Sequence, residues 1–189
     1  MNIFILDKDP IVAAQLQCDK HVVKMIVESA QMLSTAHRMA DGYIETRKSK
    51  SGKRNIKYYV HNNSVLENQL YKAVHHFHPC TVWTMESNVN YKWHYRHFVA
   101  LCEEYTYRYG KVHATDTKLR ETLKNVPTKI PHTNIYTPFK LAMADYPEII
   151  ALGCPVKSYQ AYYMTKQDRF KMIWSKRDTP EWFEVLNAA

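Results

Sequence analysis

From Asp9-Pro10 to Asp41-Gly42, apolar residues return every three or four positions, and no other feature restricts the fold of this chain as strongly. Val12, Leu16, Val23, Val27, Ala30, Leu33 and His37 trace one stripe, the spacing of an amphipathic helix and not the alternation of a strand. Asp9 is placed to cap the first turn, Pro10 suits the first helical position, and Gly42 follows the last. The stretch predicts one helix of roughly thirty residues, long enough to cross a whole domain. A second such stretch opens at Ser87-Asn88 and closes at Gly110, with Tyr91, Tyr95, Phe98, Cys102, Tyr105 and Tyr109 on one face. Aromatic side chains at that spacing read as core. Glycine is scarce, 4 residues against 14 Tyr and 4 Trp in 189, which argues against a turn-rich β sandwich. The expected fold is mainly α, a single compact helical domain over residues 1–189 with two long helices.

Between them lies YIETRKSKSGKRNIKYYV, residues 43 to 60. Its β-branched and aromatic ends and its Lys/Ser/Gly/Arg middle read as a small β-hairpin or a mobile loop. Its tip carries Arg47, Lys48, Lys50, Lys53 and Arg54, a set of cations suited to phosphate. Ser64-Val65-Leu66-Glu67 has the pattern of a capping box, predicting a helix to about Phe77 that His78-Pro79 breaks. A short helical turn is expected over Thr81 to Met85, and a helix over Asp116 to Asn125. Residues 126 to 155 hold five of the eight prolines and read as loop, interrupted by short helices at Pro138 and Pro147. A last helix from Lys157 to about Ile173 precedes a polar tail, SKRDTPEWF.

The formal net charge is +8 and the isoelectric point about 9.2, which favours anionic partners through long-range attraction and counterion release. A nucleic acid or a nucleotide phosphate is the expected partner. No run of eighteen apolar residues occurs, so no membrane-spanning helix is expected, and MNIFILDKDP lacks the pattern of a signal peptide. Cys18, Cys80, Cys102 and Cys154 lie far apart with no CxxC pair, so a reduced, cytoplasmic chain is expected. Cys18 and His21, with His75, His76, His78 and Cys80, offer donors for zinc but not at ligand spacing, so no metal is expected. Nor is a cofactor, since no GxGxxG or phosphate-binding P-loop is present.

The stretch CDKHVVK, residues 18 to 24, concentrates the candidate chemistry. Lys20, Lys24 and Glu28 step by four along one row, with His21 beside them. Two lysines at that spacing repel unless an anion lies between them, so the row is either a phosphate clamp or a plain exposed face with a Lys24–Glu28 pair. Lys118 and Arg120, in TDTKLRE, add cations near a helix start where free amides favour a phosphate. Trp182, beside Pro180 in the tail, is the tryptophan expected to be exposed enough to stack on a base.

In organisation the chain resembles the small pyrimidine-dimer DNA glycosylases with abasic-site lyase activity, the phage endonuclease V-like family of large phages and some bacteria. Members have a short N-terminal segment and then a long first helix carrying Arg-Glu-x-x-Arg; here the matching stretch is Lys20-His21-Val22-Val23-Lys24. Bacterial members have an Asn-His-Pro turn before the next helix, where this chain has Phe77-His78-Pro79. A basic aromatic tail is matched in character by Thr179-Pro180-Glu181-Trp182-Phe183. The resemblance covers about two-thirds of the chain. It implies a DNA-glycosylase-like helical fold, and attack on the sugar C1′ by the N-terminal α-amine to form an imine, assisted by a helix-one carboxylate. It also implies residence in the cytoplasm of a host cell, if phage-encoded. Lys20 and Lys24 match in charge. Asn2 stands where the family has a small residue, and His21 stands at the carboxylate position.

These readings make His21 the candidate acid/base and Lys20, Lys24 or the Met1 amine the candidate nucleophile. The substrate would be a base N-glycosidic bond or an abasic site in DNA. Three alternatives stay open on the sequence: a non-catalytic DNA- or RNA-binding protein, a pocket that binds or degrades a small nucleotide, and a basic helical adaptor for an acidic protein.

Overall fold

The computed structural model describes residues 1–183 and is mainly helical, with one two-stranded antiparallel sheet. The long first helix is two helices. α1 (Pro10–Gln15) begins as expected, Asp9 accepting from the Ile11 and Val12 amides with Pro10 in the first turn. The chain then leaves helical geometry at Cys18 and restarts as α2 (Asp19–Asp41). The break has a tertiary cause. The Cys18 amide donates to the Tyr163 hydroxyl (2.9 Å) and the Asp19 amide to the Ile173 carbonyl (2.8 Å), so neither amide closes a helical turn. The break also rotates the buried face: Val12 and Val23, expected in the stripe, are exposed, while Val22, Met25, Ile26, Met32 and Leu33 are buried.

α2 is roughly 35 Å long at the usual helical rise. From its end β1 (Gly42–Lys48) and β2 (Asn55–His61) form the hairpin, Gly42 opposite His61 and Lys48 opposite Asn55. A Cβ at Gly42 would overlap the Val60 and Arg38 carbonyl oxygens, so only glycine allows β1 to leave α2 so closely.

α3 (Ser64–Gln69) is capped by Asn63, whose Oδ1 accepts from Val65 and Leu66, and not by Ser64. It also stops well short of Phe77. Arg38, almost wholly buried on α2, donates to the carbonyls of Glu67, Leu70, Tyr71 and Tyr59 and pairs with the Glu67 carboxylate. The Glu67, Leu70 and Tyr71 carbonyls are thereby diverted from any further helical turn. His78-Pro79 starts a helix instead of ending one: His78 Nδ1 accepts from the Cys80 amide (3.2 Å) at the head of α4 (Pro79–Glu86). α5 (Asn88–Tyr109) has the expected bounds, with Ser87 accepting from Asn90 and Gly110 left-handed at φ +67°, but of the expected core face Tyr109 is exposed and Tyr95 half-buried. α6 (Ala114–Leu123) follows. Of the two short helices expected in the proline-rich stretch, only α7 (Pro147–Ile150) forms; residues around Pro138 are irregular. The last helix, α8 (Pro155–Met164), ends nine residues before Ile173 and tightens into a 3-10 turn at Thr165–Asp168.

α2 packs against α4, α5 and α6, and α1 against α5. The N-terminal segment runs through this core, with Ile3, Ile5 and Leu6 essentially fully buried. At about 1.5–3 kcal/mol per buried aliphatic side chain, that segment is firmly anchored, which fixes where Met1 lies. Among the described residues no helix is long and apolar enough to cross a membrane.

Candidate functional site

One cavity, of ≈ 230 Å³, opens where the N-terminal segment meets the first half of α2 and the end of α8. Its polar lining comes from Met1, His21, Lys24, Glu28, Lys166 and Arg169, and its apolar lining from Phe4, Tyr162 and Phe170. Met1, His21 and Lys24, all singled out in the sequence, thus share one site. Lys20 reaches only its rim, where its ammonium sits 4.7 Å over the Phe170 ring. That contact answers the Lys20–Lys24 repulsion without an anion.

The centre of the site is Glu28. Its Oε2 accepts from the Asn2 amide (3.0 Å) and lies 3.8 Å from the Met1 α-amine, while Oε1 lies 3.3 Å from Lys24 Nζ. A carboxylate therefore does stand beside the N-terminal amine, two helical turns beyond His21. Asn2 builds this arrangement. Its Oδ1 accepts from the Ile3 and Phe4 amides and its Nδ2 donates to the Ala142 carbonyl. The tight turn holds Phe4 at φ +56°, a left-handed conformation that non-glycine residues seldom adopt and that surrounding contacts must enforce.

His21 is a buried wall of the cavity. Its ring stacks on Phe4 (4.8 Å between centroids) and meets the edge of Phe170, and Nδ1 lies 2.7 Å from the Tyr163 hydroxyl. Burial first, then the Lys24 and Lys166 charges, push its pKa down to about 4, so the ring is neutral at pH 7. Asp19 is turned away, bound to Arg108 and Ser175. His78 stands close enough for the Met1 ammonium to matter: burial, then that charge, lowers its pKa.

The remaining cations are distributed elsewhere. Lys48, Lys50, Lys53 and Arg54 are exposed at the hairpin tip. Arg47 is not free as expected, since its guanidinium forks onto Glu45 (2.8 and 2.7 Å). At α6 the anion site is already filled by the protein. His113 caps the helix, Arg120 is forked onto Asp116, and Lys118 lies 5.0 Å over the Tyr71 ring. Trp182 is not the exposed stacking platform expected; it packs edge-on against Tyr163, with its indole N–H buried. The tail folds back onto the body through Arg177, which donates to both oxygens of Glu104.

The histidine-rich stretch does not gather ligands with Cys18: Cys80 lies against Asn2 and Tyr159, and Cys18 against Tyr163. Among the described residues, ligand atoms of His37, Asp41 and His61 lie within 4.8 Å of one another. Most of their polar atoms are committed to the fold, although His61 Nε2 is buried without a hydrogen-bond partner. His37 Nε2 meets Tyr91, His61 Nδ1 accepts from Asn63, and Asp41 accepts from Thr128 and Lys129. The group ties α2 to β2 and to the loop after α6.

Sequence reasoning missed Glu28 as the site's carboxylate, and missed Lys166 and Arg169 altogether. Glu28 was legible in the row of Lys20, Lys24 and Glu28; the other two carried no local signal. No family model matches the chain, and neither a curated protein nor a solved structure does.

Proposed function

We propose that this protein binds DNA and forms an imine with an exposed sugar C1′, in the manner of the pyrimidine-dimer glycosylases and abasic lyases it resembles. The observation that carries the reading is the α-amine of Met1 held 3.8 Å from the Glu28 carboxylate. Glu28 takes a proton from the ammonium, and the freed amine adds to the C1′ of an abasic sugar. The resulting hydroxyl leaves as water when that proton is returned, completing the C=N bond. Proton removal at C2′ then expels the 3′-phosphate. The acid/base role expected of His21 passes to Glu28, because a ring with a pKa of about 4 is a poor proton carrier near neutrality. Lys24, Lys166 and Arg169 supply positive charge for the flanking phosphate, and the exposed tip cations Lys48, Lys50, Lys53 and Arg54 are the further candidates for backbone contact. A base would have to be flipped out to bring its sugar to so small a cavity.

The test is borohydride trapping with abasic-site duplex DNA, after the intact mass has established that the chain begins with a free Met1 amine. A covalent adduct is expected, lost on N-terminal acetylation and reduced about 100-fold in rate by Glu28→Gln. Salt-sensitive DNA binding with no adduct would reduce the protein to a non-catalytic binder. The cavity's size and its cation-rich lining favour one other reading, a site for a single nucleotide; absence of both adduct and DNA binding would select it.

A further inference from the structure

We infer that Lys166 is a second, independent imine-forming amine of this cavity, directed at aldehydes that carry a phosphate. The inference rests on the reading above only in taking this cavity as the ligand site. The 3-10 turn after α8 swings Lys166 inward, leaving the residue 6% exposed although lysine normally stays in water. Its Nζ lies 3.4 Å from the Tyr162 ring centroid and 3.3 Å from Thr165 Oγ1, to which it donates. Among the described residues no carboxylate pairs with it, since Glu28 is engaged by Lys24 and the Met1 end. A mostly buried lysine with no carboxylate partner among the described residues is the arrangement that lysine nucleophiles use.

The Tyr162 ring, and more distantly Tyr146 at 5.9 Å, favour the ammonium. Burial, then Arg169 and Lys24, oppose it and prevail, bringing the pKa down to about 8. His21, neutral, and Glu28 complete the titratable lining with Met1. Near neutral pH a far larger share of Lys166 is then the free amine than of an ordinary lysine.

The ligand class follows from what surrounds the amine. Residues three apart on a 3-10 turn share a side, so Lys166 and Arg169 both face the cavity, with Lys24 across it. Arg169 and Lys24 suit a phosphate held beside the carbonyl. The Nζ lone pair adds to the carbonyl carbon, the C=O pair moves to oxygen and is protonated, and the carbinolamine loses water to leave the imine. Borohydride then delivers hydride to that carbon, fixing a secondary amine.

Pyridoxal 5′-phosphate is a suitable probe, since it is a phosphate-bearing aldehyde whose imine absorbs visibly. The full chain is reduced with borohydride at several pH values and its labelled peptides are mapped. The expected result is a Lys166 label at least about 10-fold above any other lysine, rising with a midpoint near pH 8 and competed by inorganic phosphate. Lys166→Arg, which keeps the charge, should abolish it. Label spread over exposed lysines such as Lys20 and Lys48, or confined to Met1, overturns the inference on the wild-type chain, whether or not the variant folds. An abasic-DNA adduct at Met1 with no Lys166 label would overturn this inference and leave the DNA reading standing. A Lys166 label without any DNA adduct would do the reverse.

Discussion

At the N-terminal end of α2, Lys24, Lys166 and Arg169 share a cavity with one carboxylate and one terminal amine. At its C-terminal end, β1 and β2 carry Lys48, Lys50, Lys53 and Arg54 out into solvent. The two regions are roughly 25 Å apart along the helix and have similar formal charge, yet their physics differs. The hairpin cations are hydrated, screened by salt and unconstrained, which suits contact with a phosphate backbone but not the positioning of a reacting atom. Of the cavity cations Lys166 is buried while Lys24 and Arg169 are exposed, and the lining is set by a turn locked through Asn2 and by a 3-10 turn. Density of charge along a sequence therefore marks where an anion is attracted; burial and convergence mark where something could happen to it.

Three experiments put that contrast at risk, beginning with acidification. The rings of His21, His37 and His97 have pKa values pushed down to about 4, in each case chiefly by burial. Each is neutral when folded and takes up a proton near pH 6.5 when unfolded. The stability each confers is thus complete above pH 6.5 and is lost as pH falls toward 4. At on the order of 3 kcal/mol per ring, the loss should unfold a domain of ordinary stability. Thermal melts from pH 7 to 4 should show a steep fall in Tm, and a flat profile would mean these rings titrate normally.

Next in size is Arg38→Ala, at the root of the hairpin. The substitution removes donors from the carbonyls of Glu67, Leu70, Tyr71 and Tyr59 and should cost about 3–5 kcal/mol. The Tm should drop by roughly 10 °C while lysine labelling in the cavity of the folded fraction is unchanged. Loss of that labelling would show that the two ends of α2 are energetically one unit.

The smallest effect on stability is expected from replacing Lys48, Lys50, Lys53 and Arg54 together by alanine. Stability should move by less than about 0.5 kcal/mol, whereas the dependence of log DNA affinity on log salt should flatten by about 0.9 for each phosphate that is no longer neutralised. An unchanged salt slope would remove the hairpin from the proposed DNA contact.

What is legible in the chain divides along local and non-local lines. α5 was legible at both ends because Ser87 and Gly110 cap it through bonds spanning three or four residues. The hairpin was legible because its strand-forming ends flank a Ser-Gly tip. The break at Cys18 was not, because the acceptors that cause it, Tyr163 and Ile173, come from the far end of the chain. The short α3 was misread for the same reason: Ser64 and Glu67 have a capping-box pattern, but Arg38 claims the carboxylate and Asn63 does the capping. The pairing of Arg47 with Glu45 lay within reach, since the two residues stand on one face of β1.

Residue order alone was enough for the helical class, the position and caps of α5 and the basic hairpin. These follow from side-chain periodicity and local capping, which survive without knowledge of distant contacts. Folding was needed to bring Met1, Glu28 and Lys166 together, to make His21 a neutral wall and to pack Trp182 away. Each of those outcomes depends on which groups lose water and which neighbours replace it. Desolvation is a property of the assembled fold, and residues 1, 28 and 166 have no common environment until α2 and α8 close on the N-terminal segment.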